Sequence, residues 1–316
     1  MIKLLVQLIH DLVHLNAPGC SGIKPQYPAT RLAAFPADAE LAHIDVRSLP
    51  TISVVIPSYN QARFLEQAIL SVLDQRYPNL ELMVADGGST DHSAQLIEKF
   101  SERLKWWVSE PDSGQAEAIN KGMQHATGAI MAWLNSDDML MPGTLFRVAR
   151  FFMDSPRTDV VYGNRILIDE SGLDVGRWVL PKHDNFILSY ADYIPQETLF
   201  WRREIWEKTG GRIDESYQFA LDWDLIDRFL NAGARFYRLP AFLGQFRIHQ
   251  EQKTNARIED TGFQEMERIR ARYLERFPNK WIRSNVAHLR MLNLAFYMFK
   301  ARLHELAWRW SLVKIN

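Results

Sequence analysis

Cysteine is almost absent. Cys20 is the one thiol among 316 residues, which excludes an intrachain disulfide and a cysteine-cluster zinc site and suits a reducing compartment. A surplus of positive charge is missing too. Lys and Arg number 37 against 38 Asp and Glu, a formal net charge of -1, whereas a protein whose partner is nucleic acid needs basic excess to meet phosphate. No apolar run reaches the roughly eighteen residues that would suggest a membrane-spanning helix. Neither G-x-x-x-x-G-K-[ST] nor G-x-G-x-x-G occurs, and H-E-x-x-H and G-x-S-x-G are missing as well. Those gaps disfavour a P-loop ATPase, a Rossmann dehydrogenase, a zinc protease and a serine esterase. What is present is 47% apolar and 24% charged residues, enough to bury a substantial core.

The N-terminal 1–16 place Ile2, Leu5, Ile9, Leu12 and Val13 near helical spacing. His10 and Asp11 interrupt the apolar centre that a signal peptide would need, so an amphipathic helix is expected. Pro18, Pro25, Pro28, Pro36 and Pro50 crowd residues 17–50 with little periodicity, which predicts an irregular linker or strap. From Thr51 the pattern alternates. Short β-branched or apolar runs at 52–56, 80–85, 105–109 and 129–134 read as strands. A helical stripe of Phe64, Leu65, Ala68, Ile69, Val72 and Leu73, a second through Leu96, Ile97 and Phe100, and a third over 114–126 fall between them. Strand alternating with helix implies an α/β fold with a mostly parallel central sheet flanked by helices. Beyond Asp138 the pattern predicts a helix over 144–152, a strand over 159–162, a helix over 221–230 and strand-like runs at 235–239 and 243–248, with helix from Thr261 onward. The stretch 163–195 carries no clear period.

Polar clusters follow three of the strands: Pro57-Ser-Tyr59-Asn60, Asp86-Gly-Gly-Ser-Thr-Asp91 and Asn135-Ser-Asp137-Asp138. In an open parallel sheet those positions share the edge where strand carboxyl ends form a ligand crevice. Asn60, Asp86, Asp91, Asp137 and Asp138 are therefore expected around one cleft. Carboxylates so gathered repel one another unless protonated, solvated or bridged by a cation, and Mg2+ or Mn2+ holding a polyphosphate suits oxygen ligands. The same residue types also make good turns and helix caps.

A second constellation is Leu221-Asp222-Trp-Asp224-Leu. Residues two apart on a helix point about 200° apart, so Asp224 would pair with Arg228 on a solvated face while Asp222 points inward. Asp222 there is either a helix cap or a general base. Arg247 and His249 close a strand on one side by alternation, where together they could complete a metal–phosphate site.

Val54-Val-Ile-Pro-Ser-Tyr-Asn60, Asp86-Gly-Gly-Ser-Thr-Asp91, the segment 109–122, Trp133-Leu-Asn-Ser-Asp-Asp138 and Leu221-Asp-Trp-Asp-Leu225 with Arg228 come in the order of the inverting family 2 glycosyltransferases of the GT-A fold, which residues 51–255 resemble. That resemblance implies a nucleotide-diphospho-sugar donor, a UDP-sugar foremost, a divalent metal and a glycan or lipid-linked acceptor. It assigns Pro57, Tyr59, Asn60, Asp86 and Asp91 to the nucleoside pocket, with Asn120 and Lys121 of the connecting helix toward the donor. Asp138 would ligate the metal, Asp137 would touch the donor's ribose or sugar, His249 would reach the metal or diphosphate, and Asp222 would be the catalytic base. Leu221 stands where the family commonly has Glu. A sugar nucleotidyltransferase would carry a Gly-rich basic loop after the first strand, and a non-catalytic sugar-nucleotide-binding subunit would have lost Asp137, Asp138 or Asp222; neither pattern is found.

The expected organisation is an N-terminal helix and linker over 1–50, a GT-A domain over 51–255 with a donor half (51–138) and an acceptor half (139–255), and a helical extension over 256–316. In 281–316, Arg283, Arg290, Lys300, Arg302, Arg309 and Lys314 face a single acid, Glu305, amid aromatics. Such a helix lies on an anionic membrane surface or packs on protein. A cytoplasmic protein, with peripheral contact at the inner face of the membrane if the tail binds lipid, is the corresponding location.

Overall fold

The computed structural model describes residues 48–250, 252 and 261–274, with 296, 297, 299, 300 and 303. The expected helix over 1–16, nearly all of the linker over 17–50 and most of the basic tail lie outside the described residues.

β1 (Ile52–Ser58), α1 (Ala62–Leu73), β2 (Leu80–Asp86), α2 (Ser93–Lys99), β3 (Trp106–Ser109), α3 (Gln115–Gln124) and β4 (Ile130–Trp133) succeed one another as the alternation predicts. Their strands pair in parallel in the order β3-β2-β1-β4. β1 lies between β2 and β4, so the loops after β1 and β4 diverge and open a crevice at their carboxyl ends. β5 (Met139–Leu140), α4 (Thr144–Asp154), β6 (Val160–Ile168), β7 (Asp174–Trp178), α5 (Asn185–Leu188), β8 (Phe200–Arg202), α6 (Arg203–Lys208), α7 (Leu221–Asn231), β9 (Phe236–Arg247) and α8 (Phe263–Leu274) follow. Here the sheet turns mixed: β8 runs antiparallel to β4 and β6, and β9 parallel to β6. Two reversals restore the direction, so β6 and β9 end at the same edge as β1, β2 and β4.

The unassigned stretch after Gly163 is the β6–β7 hairpin and a loop ending in a short 3-10 turn at Gln196–Thr198. The two runs expected around Pro240 form one strand. Pro240 lacks an N–H and falls where the β6 register jumps from Tyr162↔Arg238 to Asn164↔Phe242, so its missing donor breaks no ladder bond. Gly163 permits that irregular crossing, because a Cβ there would stand 2.5 Å from Leu243 Cγ.

β1 feeds both cores by alternation. Ile52, Val54 and Ile56 join the α1 stripe of Leu65, Ala68, Ile69 and Val72 on one face. Val55 joins Ile119 and Met123 of α3, with Trp201, Trp223 and Phe229, on the other. Each such aliphatic contributes about 1.5–3 kcal/mol by leaving water, which fixes the strand ends against which the crevice is built.

Candidate active site

At the first strand end, Pro57 and Ser58 are buried within β1, and Tyr59 emerges 61% exposed. Asn60 turns the chain with φ 52, a left-handed position that Asn tolerates. Its amide donates to Ser89 Oγ at 2.7 Å and its Oδ1 accepts from Thr90 N at 2.8 Å. Ser89 Oγ in turn donates to Asp86 Oδ1 at 2.5 Å, while Asp86 Oδ2 accepts from Ser89 N and Ser109 Oγ at 2.9 and 2.7 Å. Three strand ends are thereby knitted around one buried carboxylate. Asp112 adds a second: a Cβ on Gly87 would come within 2.8 Å of Asp112 Oδ2. Burial first, and then the charges of Glu117 and Asp86, raise the Asp112 carboxyl above its ordinary range against the bond it accepts from Gly114. An exposed aromatic ring after β1 and the carboxylates of Asp86 and Asp112 suit a planar heterocycle with N–H donors.

Asp91 does not face this pocket. Its Oδ2 accepts from Ala62 N and its Oδ1 from Ser93 N, both at 2.9 Å, so one side chain caps the starts of α1 and α2. Asn120 is likewise withdrawn from the donor role expected of it: Oδ1 accepts from Ile213 N at 2.7 Å and Nδ2 donates to Ile213 O at 3.0 Å, a two-way clasp on the chain ahead of α7. Lys121 sits between Glu110 and Glu117, at 3.0 Å from each. The residue α3 does bring to the cleft is Gln115, whose Nε2 donates to Asn135 Oδ1 at 2.7 Å; nothing in the helical periodicity marked it.

The acidic loop gives its two aspartates opposite settings. Asp138 is 2% exposed, and its Oδ1 accepts from Arg247 N at 3.0 Å. Burial, then the charges of Asp137 and Glu197, push its carboxyl well up. Asp137 instead opens to the cleft, its side chain 20% exposed, with Oδ2 3.0 Å from His249 Nε2. Adjacent donors in one octahedral shell at 2.0–2.1 Å stand about 3 Å apart, so Asp137 and His249 fit a single divalent cation. Among the described residues there is no group of three or more such ligands, which leaves the other positions to water and a phosphate-bearing ligand.

Arg247 is not a phosphate contact. It is fully buried, donating from Nε to Asp137 O at 2.9 Å, from Nη1 to Asp169 O and Glu170 O at 3.1 Å and from Nη2 to Gln67 Oε1 at 2.7 Å. Phe64 lies beneath both its guanidinium, at 4.7 Å, and the His249 ring, at 4.9 Å. Strand alternation misplaced the pair because β9 ends at Arg247, before His249.

Asp222 stands half-buried in the first turn of α7, its Oδ1 accepting from Trp223 N at 2.9 Å. Asp224 does pair with Arg228, at 2.9 Å, but it is buried and is held also by Arg272 at 2.7 Å. The solvated face expected there is an interface with α8. Across from Asp222 lies Asp192, open to solvent on the cleft wall. Asp192 is near enough to feel the like charge of Asp222 and the opposite charge of Arg165. Arg165 grips Glu197 through two bonds of 2.8 and 2.5 Å in a fully buried pair and also feels Asp138. One buried cation thus lies electrostatically between Asp192 and the acidic loop.

The family described as Glycosyl transferase family 2 matches residues 53–219. An uncharacterized glycosyltransferase of Nostoc sp. (strain PCC 7120) is 32% identical over 222 residues, 66% of this chain and 64% of that protein's length. A PGL/p-HBAD biosynthesis glycosyltransferase of Mycobacterium bovis (strain BCG) is 31% identical over 179 residues, covering 55% of this chain and 68% of its own. Among solved structures, S. aureus TarS in complex with UDP-GlcNAc superimposes with a TM-score of 0.60 at 18% identity, over 75% of this chain and 70% of that one. The mannosyltransferase PcManGT from Pyrobaculum calidifontis, in complex with GDP-Man and Mn2+, gives 0.54 at 18% identity over 92% and 82%. At these identities the likeness is one of fold, and the fold is the GT-A arrangement expected from the sequence.

Proposed function

The chain belongs to glycosyl transferase family 2, and from that premise we propose that it moves a sugar from a nucleotide-diphospho-sugar, a UDP-sugar foremost, to an acceptor hydroxyl with inversion and with Mn2+ or Mg2+. The observation that carries this reading is the Asp137–His249 pair, 3.0 Å apart at the sheet edge where Asp86 also ends its strand. Solved neighbours of the same fold holding UDP-GlcNAc, and GDP-Man with Mn2+, support the donor class.

In this reading the Tyr59 ring stacks on the base while Asp86 and Asp112 accept its N–H groups. Asp137 and His249 would hold the divalent ion, with Asp138 fixing the loop from below rather than ligating. The bound ion supplies countercharge to the departing diphosphate. Asp222 takes the proton of the acceptor hydroxyl as that oxygen attacks the anomeric carbon in line, and one displacement inverts the centre without a covalent enzyme intermediate.

A melting screen of UDP- and GDP-sugars with and without Mn2+ tests donor and metal together. The expected result is a rise in Tm for a UDP-sugar that depends on Mn2+ and vanishes in Asp137→Ala and His249→Ala. A rise indifferent to Mn2+ and to both substitutions overturns the site.

A lipid-linked or other cell-surface glycan is the acceptor class we favour, on the strength of the basic, aromatic 281–316 segment. The protein would then work in the cytoplasm, resting on the inner face of the membrane. No helix among the described residues is long and apolar enough to cross one. Flotation of the full chain with anionic liposomes, but not of a 1–280 truncation, is expected; equal behaviour removes the membrane contact.

A further inference from the structure

The helix that carries Asp222 receives its cap from elsewhere. Ala220 occupies the N-cap position of α7 and offers no side-chain acceptor, although a helix start leaves backbone N–H groups that need one. The amides of Gln218, Phe219 and Ala220 all converge on the Glu265 carboxylate of α8, each at 2.8 Å. Glu265 is buried. The rest of α8 grips the same neighbourhood. Arg272 pairs with Asp224 and with Asp227, at 2.7 and 3.4 Å. Arg270 donates to Tyr190 O at 2.9 Å and lies over the rings of Tyr190 and Trp223. One helix therefore holds both walls of the acceptor side: the loop bearing Asp192 and the turn bearing Asp222. It does so from beyond the 53–219 segment that the family matches.

We propose that Glu265 is a positioning residue for the transfer reaction, clamping the start of α7 so that Asp222 meets the acceptor hydroxyl in register. The proposal rests on Asp222 being the base. A carboxylate at three amides on the approach to α7, the last of them the N-cap Ala220, also offsets the positive end of the helix dipole. Asp192 is the charge whose interaction with Asp222 is shown; on the same helix and the elements packed against it lie Asp224 with its partners Arg228 and Arg272, and Arg270 over Trp223.

The test uses full-length Glu265→Gln, Glu265→Ala and Asp222→Asn. Hydrogen–deuterium exchange of 218–223 is followed in the free protein. Release of UDP to water, from the UDP-sugar picked out by the melting screen, is measured across pH per donor-binding site counted by calorimetry. Exchange at 218–220 is expected to accelerate at least about tenfold in Glu265→Ala. kcat per site is expected to fall about tenfold or more, as a base displaced by a fraction of an ångström would cause. The acid limb of the profile moves to lower pH, because both Glu265 variants remove a negative charge held at Ala220 N, two residues before Asp222 in the chain. A role in folding alone leaves both kcat per donor-binding site and the limb in place; that result, or unchanged exchange, overturns the proposal. Wild-type rate and limb in the Glu265 variants with an inactive Asp222→Asn overturn positioning alone. Full activity in Asp222→Asn overturns the base assignment, and the positioning role with it.

Discussion

Aspartates at this sheet edge do three kinds of work, and a sequence shows their positions but not where their lone pairs go. Asp91 looked like a pocket residue because it ends a polar cluster after β2, yet both oxygens meet helix-start amides. Burial opposes its charge, but the bonds from Ser93 and Ala62 outweigh that and hold its carboxyl below the usual range. Its folded value is lower than its unfolded one, so its contribution is present above about pH 4 and is lost as pH falls further. Asp91→Ala should cost about 0.5–2 kcal/mol in urea melts at neutral pH, with the gap to wild type closing under acid. Asp137 and Asp138 are adjacent in the chain and opposite in setting. Asp138→Asn should preserve the Mn2+-dependent rise in Tm, whereas Asp137→Asn should lose it. Asp222→Asn should lower kcat by about 10²–10⁴ while calorimetric donor affinity stays within about twofold; equal loss of both would remove Asp222 from the chemistry. Legible in the chain were the places of Tyr59, Asn60, Asp86 and the two loop aspartates at or after strand ends. Gln115, Phe64 and Gln67 were not, because helical spacing reports which face is buried and not which buried atom touches a loop.

At the scale of elements, β6 carries an arginine where its apolar run gives no hint of one being buried. Arg165 is enclosed with Glu197 from the 3-10 turn, its guanidinium over Phe246 at 4.3 Å. Breaking such a pair strands a charge, so Arg165→Met should destabilise by about 3–5 kcal/mol, while Arg165→Met with Glu197→Leu should recover most of that loss. Guanidinium midpoints of the two variants decide it, and equal midpoints would show that the pair is not the strained element. This pair was illegible in the sequence for a plain reason. Its partners lie 32 positions apart in the stretch after Gly163 where no period is visible, and only the sheet's reversal through β8 brings them together.

For the whole molecule, the half legible in advance is the half with parallel strand–helix alternation, because each crossover there is dictated by neighbouring runs. The second half is assembled from distant pieces. Tyr162 and Tyr193 both reach His183 Nδ1, at 2.9 and 3.0 Å, and Tyr193 packs on Tyr297 of the tail at 4.6 Å. Burial holds the His183 imidazole below its ordinary value, against the bond to Asn185 and the charge of Asp184. The unfolded chain therefore takes up this proton first, and stability should decline as pH falls from about 6.5 toward the folded value. A pH series of denaturant midpoints should show that slope in wild type and a flatter one in His183→Asn.

Gly244 lies against this assembly so closely that a Cβ would sit 2.5 Å from Glu197 Cγ. The consequence is one for engineering. A chimera that grafts residues 183–199 of this chain into a relative must find there, or bring along, a cation at position 165 and a side-chain-free position 244. Transplanted alone, the new segment would arrive with an orphaned acid and a steric collision, and the hybrid would fail before its specificity could be measured.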